Sequence, residues 1–195
     1  MRRNYTAILP SYFTLECTMR RSTRQTFQLI VDKEWNSKKA GIGEKVSFTI
    51  ERNALELELQ VNANFHNDPA PIAPVGEVDG LWQYEVVELF LLCSNGHYLE
   101  IELGPHGHYL IYYLSGIREV TRTLSPVSCR CTISGSKWSG TLKLSLEDSI
   151  QEFTHVNAYA IHGQGMDRRY LAAYPLPGLL PDFHQPEHFH PIADL

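Results

Sequence analysis

Residues 79–116 read DGLWQYEVVELFLLCSNGHYLEIELGPHGHYLIYYLSG. The pattern predicts three consecutive strands, at 84–93, 98–103 and 108–114. Ser94, Asn95 and Gly96 interrupt the first pair, and Gly104, Pro105, His106 and Gly107 interrupt the second. Gly and Asn accept positive φ and Pro pre-sets a turn, so both breaks are turns. No helical segment fits between the strands, so neighbours pair antiparallel, as a meander. The middle strand alternates, with Leu99, Ile101 and Leu103 on one face and Tyr98, Glu100 and Glu102 on the other. The first strand is apolar on both faces, so the turn sets its register. A two-residue Asn95-Gly96 loop puts Glu88 beside Leu103. A three-residue loop puts Glu88 opposite Glu102, with Glu100 nearby, and lines Leu89 and Leu91 up with Leu99 and Ile101. The second arrangement gives one continuous apolar face and is preferred.

The flanking segments extend this pattern. LELELQV, residues 55–61, alternates without a fault, placing Leu55, Leu57, Leu59 and Val61 in the core. Trp138, Leu142, Leu144 and Leu146 recur at even spacing. Further strands are predicted at 26–31, 46–50, 119–123, 128–134, 156–162 and 169–174, the last two as a hairpin around residues 163–165. Residues 33–44 are polar, with Gly41 and Gly43, and read as a loop. Residues 62–80 contain Pro69, Pro71 and Pro74 and form a long loop of the kind that often binds ligands. One short helix is expected over 146–153, with Asp148 and Ser149 as cap candidates. Five prolines between 174 and 195 exclude a central strand there, yet Phe183 and Phe189 are large enough to require burial. The predicted architecture is all-β: a two-sheet antiparallel β-sandwich with at most one short helix, forming a single domain over 26–195 after a poorly defined segment, 1–25.

The net charge of −5 and a pI near 6.0 argue against nucleic acid, which needs a basic patch. Arg20, Arg21 and Arg24 read as a solvated loop. No run approaches the roughly 18 apolar residues of a membrane span, and the first residues lack the apolar core of a leader. Cys17, Cys93, Cys129 and Cys131 are too few and too badly spaced for a disulfide scaffold. They read as reduced thiols of a cytoplasm-like compartment, with Cys129 and Cys131 as strand residues.

Two clusters could carry chemistry. Glu85, Glu88, Glu100 and Glu102 fall on adjacent strands, where carboxylates could bind a hard cation or work as an acid–base pair. The alternative is a solvated outer face. Glu88 is exempt from that alternative, because it stands among Val86, Val87, Leu89 and Phe90, where a charge is costly without a partner. Arg168, Arg169 or the hydroxyls of a ligand could supply one. The second cluster is His162 with His184, His188 and His190, the last three within DFHQPEHFHP beside Asp182 and Glu187. Pro181, Pro186 and Pro191 forbid the helix that would bring such histidines onto one face, so no metal and no cofactor is expected. No Gly-rich phosphate loop and no nucleophile elbow is present.

LWQYEVVELFL (81–91), YLEIELGPHGHY (98–109), W-x-G-T-L-K-L (138–144) and AYPLPGLLPDFHQPEHF (173–189) occur in this order. Together they resemble a family of stand-alone proteins with a DOMON-like fold, shared with family 9 carbohydrate-binding modules. The resemblance covers roughly residues 50–190. It implies a sugar-binding site in which Trp82 stacks on one face of the sugar, Glu88 and Glu100 bind its hydroxyls, and Tyr174, before Pro175, closes the other side. The resemblance also makes His184 part of a fold signature that ties down the tail. This chain departs from the pattern in having Tyr174 where a Trp is usual, Leu171 where a polar residue is usual, and no Arg within 158–161. The alternative for the aromatic pair is that Trp82 packs under the long loop and Tyr174 is an ordinary strand residue.

The expected function is a non-catalytic binding module for a carbohydrate or similar small polar ligand. The ligand site is expected at Trp82, Glu88, Glu100 and Tyr174, with Glu85, Glu102, His162 and His184 as additional candidates. Two alternatives remain: a metal-dependent hydrolase using the carboxylates or the C-terminal histidines, and a protein-interaction domain with its face around Phe90, Tyr112 and Trp82.

Overall fold

The structure is a computed structural model and describes residues 24–147, 150 and 152–195. Among the described residues the strands follow in order: β1 Gln25–Val31, β2 Lys33–Glu34, β3 Val46–Arg52, β4 Glu56–Asn64, β5 Val86–Cys93, β6 Tyr98–Leu103, β7 Tyr109–Gly116, β8 Glu119–Thr123, β9 Ser128–Ser134, β10 Lys137–Ser145, β11 Phe153–His162, β12 Arg169–Ala172 and β13 His190–Pro191. They form two antiparallel sheets. One has the order β1-β3-β4-β10-β9; the other runs β2-β12-β11-β5-β6-β7-β8, with β13 pairing one end of β11. This is the two-sheet β-sandwich expected from the alternating segments.

The meander carries the three-residue register. Glu88 lies opposite Glu102, Leu89 opposite Ile101 and Leu91 opposite Leu99. Cys93 and His97 close the turn by a backbone bond, and Gly96 sits at φ 84, the left-handed residue that such a turn requires. Leu57, Leu59, Leu89, Leu91, Leu99, Ile101, Leu142 and Leu144 are all buried between the sheets. Leu55 is not: it is 65% exposed. Strand β4 starts one residue later, at Glu56, and the Asn53 side chain accepts from the Leu55 and Glu56 N–H groups, bending the chain away before Leu55 could face inward.

The far face of the larger sheet carries a second apolar layer. Val86, Phe90, Tyr98, Leu110, Leu114, Tyr159 and Ile161 project from it and are covered by Trp35, Leu81, Leu176, Phe183 and Phe189. This explains why β5 is apolar on both sides and why all six residues of β6 are buried. The tail does much of the covering: Phe183 stacks on Tyr159 at 3.9 Å, and Phe189 packs edge-on against Phe90. Residues 33–44, expected as a loop, hold strand β2 and bury Trp35, whose N–H and C=O bond to Tyr170 and Leu176. Of the helix expected over 146–153, residues 146, 147, 150, 152 and 153 are not helical, while Asp148 and Ser149 lie outside the described residues. So do Cys17, Arg20 and Arg21; Cys93, Cys129 and Cys131 are free thiols.

Candidate functional site

Where the covering layer stops, it leaves an open cavity of about 760 Å³ on the far face of the larger sheet. Trp82 stands at its edge on a single 3-10 turn, Leu81–Gln83, entered through Gly80 at φ 76. The buried Leu81 anchors that turn, while the Trp82 side of it remains 43% exposed. Arg168 ties the turn to the β11–β12 loop, donating to Trp82 O at 2.6 Å and to Gly163 O at 3.0 Å. Gly163 is required there: at φ +76, a Cβ would lie 2.4 Å from Asp167 O.

The floor is acidic. Glu88 and Glu100 line the cavity at 3% and 4% exposure, and Glu102 is fully buried beside them. Among the described residues Glu88 has neither a hydrogen bond nor an ion pair. Burial pushes its carboxyl well above the usual carboxylate range; Glu100 adds to this and Arg168 partly offsets it. Burial lifts Glu100 to about 7 and Glu102 well above the usual range, the latter helped by the charges of Glu88 and Glu100. Written as two carboxylates, Glu100 Oε2 and both oxygens of Glu102 have no donor. A proton shared between Glu100 and Glu102 supplies one, and the raised pKa values retain that proton at neutral pH.

The wall is built by the tail and by the turn after β7. Tyr98 accepts from the Arg118 N–H at 3.1 Å and meets His184 Nδ1 at 2.8 Å. If the Tyr98 hydroxyl donates to Nδ1, the His184 proton sits on Nε2, which faces Glu100 Oε1 at 3.9 Å. Burial, followed by the nearby Arg118, lowers His184 to about 4, so it is neutral. Arg118 donates to Asp182 at 2.6 Å. Burial would raise Asp182, but the bonds from Arg118 and from the His184 N–H hold it below the usual range. Tyr112, Tyr170, Ile161, Leu114, Val120 and Phe183 also line it.

Four of the residues expected from sequence therefore meet here: Trp82, Glu88, Glu100 and His184. Glu102 lies behind the floor. The outer-face carboxylates are not solvated, as one reading had it: Glu85, Glu88, Glu100 and Glu102 are all buried. Tyr174 does not line the cavity. Its N–H bonds to the Asn157 side chain and its ring stacks on His190 at 4.1 Å. Tyr170, four residues earlier on β12, lines the cavity instead. Glu85 accepts from the His66 and Asp68 N–H groups and fixes the long loop. His162 stacks on His66 at 3.5 Å, away from the floor. Arg169 pairs with Glu34 rather than with Glu88. Arg118 and Tyr170 had no signal in the sequence; one lies in a turn and the other in an unremarkable strand. Among the described residues no group of three His, Cys, Asp or Glu side chains converges as metal ligands, and no helix is long and apolar enough to cross a membrane.

No family model matches the sequence. A Danio rerio protein, UPF0462 protein C4orf33 homolog, is 44% identical over 142 residues, covering 68% of this chain and 72% of the relative. This chain belongs to the UPF0462 family. The Homo sapiens UPF0462 protein C4orf33 is 40% identical over 142 residues, covering 67% of this chain and 70% of its own. Among solved structures, the UPF0462 chain is similar to a crystal structure from Bacteroides uniformis ATCC 8492 described as a "putative carbohydrate-binding protein". The TM-score is 0.63 with 19% identity, over 86% of this chain and 84% of the other. At that identity the likeness concerns the fold. A family 9 carbohydrate-binding module from Caldicellulosiruptor kristjanssonii, in complex with cellotriose, aligns with a TM-score of 0.44 and 8% identity over 69% of this chain and 68% of its own.

Proposed function

We propose that the chain is a non-catalytic binding module for a carbohydrate or similarly polyhydroxylated small molecule, held in the cavity at Trp82. One observation carries this reading: a half-exposed indole stands at the edge of a cavity whose floor carries Glu88, a buried carboxyl with no hydrogen-bond partner among the described residues, beside Glu100. A sugar offers both complements, an apolar C–H face for the indole and hydroxyls for the carboxyls. A protonated carboxyl both donates and accepts, so the raised pKa values suit neutral hydroxyls in either role. The size is adequate, since ligand sites usually span about 300–1,000 Å³. The Bacteroides uniformis protein of similar fold, described as a "putative carbohydrate-binding protein", is consistent with this reading, although fold alone does not transfer function.

Trp82 provides its own reporter. Trp35 and Trp138 are buried, so ligand-dependent change in tryptophan emission arises chiefly at Trp82. Titration with a panel of mono- and oligosaccharides is expected to give a saturable change with at least one member at about millimolar Kd or tighter. A panel that produces no saturable change would remove the proposal.

A further inference from the structure

The floor holds more carboxyl groups than the protein supplies cations for. Glu88, Glu100 and Glu102 meet on one face, Glu88 opposite Glu102 and diagonal to Glu100. Two guanidiniums are near. Arg118 is committed to Asp182, and Arg168 spends its bonds on the carbonyls of Trp82 and Gly163. That leaves three carboxyls near one guanidinium without a carboxylate partner, Arg168, whose hydrogen bonds go to carbonyls. His184 is neutral, and Tyr98, Tyr112 and Tyr159, all shifted upward, are neutral phenols, so none of them carries charge that could balance the floor. Asp79, bonded to the Tyr112 hydroxyl at 3.0 Å, adds another carboxylate nearby. An independent observation points the same way: Glu88 is 97% withdrawn from solvent, lines the cavity, and has no partner among the described residues.

We infer that the ligand of this cavity carries a protonated amine, as an amino sugar or aminopolyol, with the ammonium group seated between Glu88 and Glu100. This rests on the binding reading above and narrows its ligand class. An ammonium group brings three donors and one positive charge, and its bonds to carboxylates are roughly twice as strong as bonds between neutral groups. An anionic ligand would instead require every floor carboxyl to stay neutral. The aromatic rings of Tyr112 and Trp82 in the lining also favour a cation. Binding ionises floor carboxyls that are protonated in the free protein, so protons leave as the amine enters.

The test is isothermal titration of the full chain with glucosamine, glucose and N-acetylglucosamine, and with linear polyols and their amino counterparts. Each titration is run in two buffers of different ionisation enthalpy. The expected result is that an amine binds about tenfold or more tighter than its neutral counterpart, the worth of one charge-assisted bond. It should release protons, and its affinity should rise from about pH 5 to about pH 7, up to the Glu100 value of about 7, where the amine still keeps its proton. Glu88→Gln, checked for an unchanged melting transition, should lower amine affinity about tenfold and reduce the proton release. If neutral sugars bind as tightly as their amines with no proton release, the inference is overturned and the binding function stands. If nothing in the panel binds, both fall.

Discussion

Glu102 is the residue whose situation is most unusual. It is fully buried, both oxygens lack a donor other than a proton shared with Glu100, and Glu88 lies directly across the ladder. Folding thus raises the proton affinity of three carboxyls, and such a contribution to stability is complete below the unfolded-state value and lost as pH rises through the folded one. His162 and His184 work in the opposite sense. Both are lowered to about 4, chiefly by burial, so their contribution is complete above the unfolded value of 6.5 and lost as pH falls toward 4. The two effects oppose each other below about pH 6.5, and only the carboxyl effect remains above it. The melting temperature should therefore fall between about pH 6.5 and about pH 8. Glu102→Gln should raise it by a few °C at about pH 8 and flatten the slope, since the amide donates to Glu100 without a charge. A variant that melts lower than wild type at that pH would contradict this account of the floor. At this scale the sequence was legible for Glu88, which stood out as a lone acid among apolar neighbours. It was not legible for Tyr174. The strand expected through 174 ends at Ala172, the Asn157 side chain takes up the next backbone groups, and the ring is carried away from the cavity to His190.

Among the elements, the tail after β12 does two jobs with little regular structure. It buries the outer face of β5, β6 and β11, and it supplies Asp182, Phe183 and His184 to the cavity wall. Phe183 is the pivot, stacked on Tyr159 with the Tyr159 hydroxyl donating to its carbonyl at 3.4 Å. Phe183→Ala should cost about 3 kcal/mol or more in a urea titration, the usual cost of truncating a buried phenylalanine. A loss below about 1 kcal/mol would mean that the tail is only loosely docked. Strand β10 contains a different constraint. A Cβ on Gly140 would lie 2.7 Å from Leu103 Cδ2 and 3.0 Å from the Trp138 ring, so the glycine in W-x-G-T-L-K-L makes room for the opposite sheet. Gly140→Ala should destabilise by about 1–3 kcal/mol through overpacking, and an unchanged urea midpoint would argue against that close approach. The register of the meander was readable because turn length and hydrophobic alternation agreed. Strand β2 was not, because two residues paired at a sheet edge leave no periodic signal.

For the whole molecule, period-2 patterning located the core between the sheets because that core is one-sided for most strands. The second apolar layer was hidden: its members come from β5, β6, β7 and β11, and its cover comes from residues far apart in the chain, Trp35, Leu81 and Phe183. Long-range closure of this kind has no local period, and so the carboxylates beneath the cover could also be read as solvated. Leu59→Ala in the inner core should cost about 2–5 kcal/mol, while Leu55→Ala should stay within about 0.5 kcal/mol, since Leu55 is mostly exposed. The central claim is that the cavity between Trp82 and the buried carboxyls is a small-molecule binding site. Calorimetric titration of one panel of sugars and amino sugars into wild type and Trp82→Ala tests it most directly. The account predicts saturable one-to-one binding by wild type and at least about a tenfold loss in the variant, with both proteins melting within a few °C of each other. Equal binding by the two proteins, or none by wild type, would contradict it.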